Sequence, residues 1–149
     1  MFTRNVLSFA AFLGCTLVLL AGDPPTEMKK LEGEWTFTAA EKNGKKAPEE
    51  VFKLVMTISG NTMKLDVPGA KDNLAKREFT FTLEPTKNPK WIDLIKTKDP
   101  DKGEKGAGIY KLVGDELTIC LPEDEGAERP KEFSAPEGSN IHLITLKKK

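Results

Sequence analysis

From Trp35 onward the chain alternates apolar and polar residues with a period of two, in short runs broken by Gly, Pro, Asn and Asp. That period is the mark of strands with one buried face. Trp35-Thr36-Phe37-Thr38-Ala39 is the first run, and Asn43-Gly44 marks the turn after it. Pro48 to Lys53 predicts one or two helical turns, with proline at the start and acids in the first turn. Leu54–Ser59 and Thr62–Val67 flank Gly60-Asn61 and predict a hairpin. Arg77–Glu84 places Phe79, Phe81 and Leu83 on one face and Glu78, Thr80 and Thr82 on the other. Trp91–Thr97 follows, then Gly108–Val113 and Glu116–Leu121 about the turn Gly114-Asp115, and finally Ile141–Lys147.

These runs predict an all-β domain of about eight antiparallel strands, with one short helix after the first strand. Hairpins at this spacing close into a barrel or pack as a sandwich. One face collects Trp35, Phe37, Met56, Ile58, Met63, Leu65, Phe79, Phe81, Ile92, Leu94, Leu117 and Ile119. An eight-stranded barrel is just wide enough to be filled by such side chains or to hold one small ligand, and the pattern leaves both open.

The first residues follow a different pattern. Arg4 is the only charge before Asp23, and Val6–Leu20 is almost wholly apolar. A basic start, an apolar run and then small residues predict a secretory signal over residues 1–21, with Ala21 or Gly22 just before the cut. The run is shorter than the ~20 residues of a spanning helix. Cys15 follows Gly14 as a lipidated cysteine would, but the apolar run continues past it, which argues against a lipid anchor there. The expectation is a secreted or periplasmic chain with no membrane span. A flexible leader occupies 22–30 and one domain 31–149.

Composition narrows the partners. Without Arg4, 22 basic side chains face 23 acidic ones, which argues against nucleic acid. After removal of the signal only Cys120 is left, so no disulfide can form within the mature chain. His142 is the only histidine, and a lone imidazole makes neither a triad nor an ordinary zinc site. Asp99-x-Asp101-x-Gly103 opens like a calcium loop but has Glu104 and Tyr110 where Gly and Glu are required. Gly103, Gly106 and Gly108 precede a strand where a phosphate cradle needs a helix. Glu123-Asp124-Glu125 reads as a solvated loop. No metal, cofactor or catalytic group is expected.

Gly33-Glu34-Trp35 at the start of the first strand resembles the opening motif of lipocalin-like barrels. Further pieces carry a closer likeness: Asn43-Gly44-Lys45, Asn88 to Leu94, Gly108 to Leu112, Gly114 to Cys120 and Arg129 to Phe133. With Leu31 to Trp35 they resemble a family of uncharacterised lipocalin-like domains abundant in planctomycete bacteria and usually exported. The resemblance spans Leu31 to Lys147. It implies a lipocalin-like barrel and supplies no catalytic or binding residue. Lipocalins often place an Arg near the end of the last strand over the Trp; here Lys147 stands at that end.

Two sets of candidate residues result. Trp35, Phe37, Phe79, Phe81 and Tyr110 are the candidate lining for a small apolar ligand. Arg129, Glu132 and Phe133, in the long loop before the last strand, either recognise a partner or clasp that loop in place. The two readings of function are a non-enzymatic, monomeric binding module for a small apolar molecule, and a protein-interaction module such as an envelope scaffold or periplasmic inhibitor.

Overall fold

A computed structural model describes residues 22–66 and 76–149. The expected signal segment 1–21, with Cys15, and Val67 at the end of the expected third strand lie outside the described residues.

The strands are β1 (Gly33–Lys42), β2 (Lys45–Lys46), β3 (Val55–Ser59), β4 (Thr62–Asp66), β5 (Arg77–Glu84), β6 (Lys90–Lys96), β7 (Lys105–Val113), β8 (Glu116–Pro122) and β9 (Ile141–Lys148). Eight of them pair antiparallel in the order β1-β3-β4-β5-β6-β7-β8-β9, and β9 returns to β1 to close the ring. Among the described residues each of these eight strands has a neighbour on both sides, which removes the open edge strands of a flat sheet. The two-residue β2 lies outside it and pairs only with the far end of β1. A 3₁₀-helix, Glu49–Lys53, follows β1 and β2 where the acid-rich turn was expected.

The period-2 face read from the sequence is the barrel interior. Trp35 pairs with Met56, Ile58 with Met63, Met63 with Phe79, Phe81 with Leu94 and Leu117 with Leu146, so these side chains share one side of the sheet. Trp35, Ile92, Leu117 and Leu146 are fully buried, and Phe81, Met63 and Ile58 nearly so. A Cβ on Gly108 would lie 2.7 Å from the Cys120 carbonyl oxygen and 3.0 Å from Leu121, so a side chain there would push β7 off β8. The middle of the barrel is thus occupied by a continuous cluster of its own buried side chains.

The segment expected to be a flexible leader is a helix, α1 (Pro24–Leu31). Pro24-Pro25 begins it, Glu27 sits in its first turn, and Lys29 and Lys30 in its last, as the helix dipole favours. Eight residues are too few for a helix to persist alone in water, so docking must hold it. Glu27 and Leu31, one turn apart, are its buried residues, and Met28 packs beside them. The pattern hid this helix because only Met28 and Leu31 are apolar in it.

Candidate functional site

The barrel has two unlike ends. The first gathers the start of β1, the ends of β7 and β9 and the start of β6, with α1 across them. Leu31 is fully buried against the core, and its carbonyl accepts a hydrogen bond from Trp35 Nε1 at 2.8 Å. Gly33 joins helix to strand at φ 128°, and a Cβ there would strike Lys148 Cε at 2.9 Å. Lys148, not Lys147, lies over the Trp35 ring, 5.5 Å from its centre, because Trp35 pairs with Lys148 while Lys147 faces outward. Its Nζ also donates to the Lys30 carbonyl at 3.2 Å.

A carboxylate is carried into this end. Glu27 is 3% exposed. Its Oε1 accepts from Lys30 Nζ at 3.0 Å, and its Oε2 from Lys90 Nζ at 3.0 Å and the Tyr110 hydroxyl at 3.2 Å. Burial pushes the Glu27 carboxyl up, but the hydrogen bonds from Lys30 and Lys90, with their charge, outweigh it and hold the group below its ordinary range. Burial, then the charge and hydrogen bond of Glu27, raise the Tyr110 phenol well above its ordinary value. Both groups therefore keep fixed protonation states across the physiological range, as parts of a structural plug.

The second end is the mouth. Here an open groove of about 650 Å³ runs between the tip of β1, the 3₁₀-helix and the start of β9. Ala40, Ala47, Pro48, Val51 and Ile144 supply its apolar surface. Lys42, Lys45, Lys46 and His142 stand round it, with Glu41 and Glu137. Ala40 pairs with Ile144 and Lys42 with His142, so all four belong to the interior face where the barrel opens. A bulge between Phe37 and Ala39 restores that alignment. Lys42 pairs with Glu123 across the rim. Burial lowers the His142 pKa, and the charges of Lys42 and Arg77 lower it further against an opposing Glu123, so the imidazole is neutral at neutral pH.

The long loop after β8 reaches the mouth only with its second half, where Glu137 and Gly138 border the groove beside Gly44, and its first half takes another course. That first half, with Arg129 to Ser134, lies on the outer wall of β6–β8. Arg129 Nη1 donates to the Gly108 carbonyl at 2.7 Å and the Ile92 carbonyl at 3.4 Å, and its guanidinium carbon is 4.2 Å from the Trp91 ring centre. Nη2 lies 2.7 Å from Asp93 Oδ1, a buried oxygen that finds no hydrogen-bond donor among the described residues. Phe133 sits 4.8 Å from Lys111 Nζ. Glu132 accepts from Ser134 through its side chain and from Cys120 Sγ through its carbonyl, not from Arg129. Cys120 faces out of the barrel and is buried by this loop, which raises its pKa. Arg129 acts as the clasp, with Phe133 and Glu132 beside it.

The five residues expected to line a ligand do not meet at one cavity. Trp35 and Tyr110 belong to the plug, Phe37 and Phe81 to the filled middle. Phe79 reaches the mouth, where it borders a smaller groove of about 310 Å³ with Arg77 and Lys96. The residues of the larger groove escaped the sequence reading because Ala40, Ala47 and Val51 carry no chemical mark. Only their position beside a strand that leaves the ring distinguishes them.

Among the described residues no group of three or more His, Cys, Asp or Glu side chains could hold a metal ion, and no helix is long and apolar enough to cross a membrane. No family model, curated protein or solved structure matches this chain.

Proposed function

We propose that this chain is an exported, non-enzymatic binding module of lipocalin-like type, related to the planctomycete domains its motifs resemble. In this reading it takes a small, largely apolar molecule at the barrel mouth and not in the barrel centre. The observation that carries the reading is the groove of about 650 Å³, whose volume falls within the range of small-molecule sites. Its apolar floor suits a hydrocarbon portion, and Lys42, Lys45 and Lys46 at its edge suit a polar or acidic end. The packed interior supports a site at the mouth over one at Trp35 or Phe81.

The test is titration with a fluorescent fatty acid, 11-(dansylamino)undecanoic acid. Saturable blue-shifted emission is expected, weakened at least tenfold by Ala47→Asp, which sets a charge into the apolar floor. No saturation would leave the interaction-module reading, an envelope scaffold or inhibitor, as the better one. Emission of Trp35 and Trp91 is a poor reporter, since one lies in the plug and the other on the outer wall.

A further inference from the structure

Gly22, two residues before α1, stands beside the buried carboxylate of the plug. A Cβ built on it would lie 3.0 Å from Glu27 Oε1 and 3.2 Å from Glu27 Cγ. The Gly22 nitrogen is bonded to the same Cα, which places it no more than about 5.5 Å from that oxygen. An ionised carboxylate accepts roughly four hydrogen bonds. Glu27 accepts from Lys30, Lys90 and Tyr110, with two of these donors on Oε2 and one on Oε1. The remaining capacity is on Oε1, the oxygen beside Gly22.

In the unprocessed chain the Gly22 nitrogen is a neutral amide. Hydrolysis of the Ala21–Gly22 bond changes its chemistry. A peptidase brings water; the C–N bond breaks, the hydroxyl goes to the Ala21 carbonyl carbon and the hydrogen to the Gly22 nitrogen. The freed amine takes up a proton at neutral pH and becomes a cation with three donors.

We propose that export processing cuts between Ala21 and Gly22, and that the new Gly22 ammonium joins the Glu27 carboxylate and locks α1 over Trp35. The proposal rests on the export reading and is independent of the ligand. It also decides between the two cuts the sequence left open: a cut after Gly22 would start the chain at exposed Asp23 and discard the residue whose Cα stands beside the carboxylate. A bare cation at a helix N-terminus opposes the helix dipole, so without Glu27 the new terminus would weaken α1. With it, removal of the signal adds a fourth donor to the Glu27 carboxylate and strengthens a plug that is already docked.

The experiment expresses the full chain in an export-competent bacterium and measures the mass of the exported product. A product beginning at Gly22 is expected. Cyanate at neutral pH should carbamylate the Gly22 amine about tenfold more slowly in the folded protein than in guanidinium, as a charged hydrogen bond would protect it. Glu27→Gln should remove most of that protection, and carbamylated wild-type protein should melt roughly 2–5 °C lower than unmodified protein. Another first residue overturns the proposed cut, and an unprocessed product overturns the export reading beneath it. A Gly22 start with equal rates folded and unfolded overturns the ion pair, as does protection that survives Glu27→Gln. Should Glu27→Gln fail to fold, the wild-type rates and the melting shift still decide.

Discussion

At the α1 end a carboxylate is drawn into the barrel and met by partners, whereas at the mouth the charges stay on the rim. Glu27 is 3% exposed and is held by Lys30, Lys90 and Tyr110. Lys42 and Glu123 pair with side chains 40% and 44% exposed. The interior lends each end a different material: Trp35, Leu31 and Tyr110 at the plug, Ala40, Val51 and Ile144 at the groove. Breaking a buried, partnered charge strands its partners and is costly, while an exposed pair is worth little. The contrast teaches that stability is concentrated at the plug and tolerance at the mouth, where binding sites are commonly found.

Substitutions can break that contrast, beginning at the plug. Trp35→Ala removes a fully buried ring and its hydrogen bond to Leu31, and should cost about 3–5 kcal/mol in chemical denaturation. Glu27→Gln should cost about 1–3 kcal/mol at neutral pH, because Lys30 and Lys90 lose their common anion. Its pH dependence sharpens the point. The Glu27 carboxyl titrates lower in the folded protein than its ordinary 4.5. The unfolded state therefore takes up the proton first as pH falls, and the stabilisation, complete well above pH 4.5, disappears as pH drops through the folded value. Denaturation curves of wild type and Glu27→Gln should accordingly converge in acid; a gap unchanged down to low pH would contradict an ionised plug.

Arg129→Ala should come next, at about 1–2 kcal/mol, since it frees the long loop and leaves the buried Asp93 oxygen without its compensating charge. Faster hydrogen exchange at Cys120 and in residues 128–135 would accompany it. Lys42→Ala should be the mildest, within about 0.5 kcal/mol, because its partner Glu123 is well exposed. A larger loss at Lys42 than at Glu27 would reverse the assignment of the two ends.

The two ends also differ in how far they could be read from the sequence. The interior face was legible because Phe79-x-Phe81-x-Leu83 and its counterparts obey the strand period, and the hairpin turns because Asn43-Gly44, Gly60-Asn61 and Gly114-Asp115 have the backbone freedom turns demand. Asn43 and Gly44 indeed adopt φ of 53° and 72°. Lys148 was within reach: Leu146 is buried inside, and two residues on from it is 148, not 147. The covered outer wall also left a trace, since the outward positions of Leu117-Thr118-Ile119-Cys120-Leu121 carry only Thr118 and Cys120 and no charge, as suits a strand covered on both sides. The Glu27 cluster left none. Lys90 and Tyr110 are cross-strand partners in the β6–β7 pair, and Glu27 reaches them only because α1 folds across that end of the barrel. The groove likewise depends on β1 leaving β3 to pair with β2, a departure that periodicity does not encode.

The most direct test of a site at the mouth and not in the barrel centre is a map of backbone amide chemical shifts during titration with decanoate. The account predicts saturable changes confined to Ala40–Lys42, Ala47–Val51 and His142–Ile144, with Leu31, Trp35 and Tyr110 unmoved. Changes centred on Trp35, Phe81 and Leu117, or none that saturate, would contradict it.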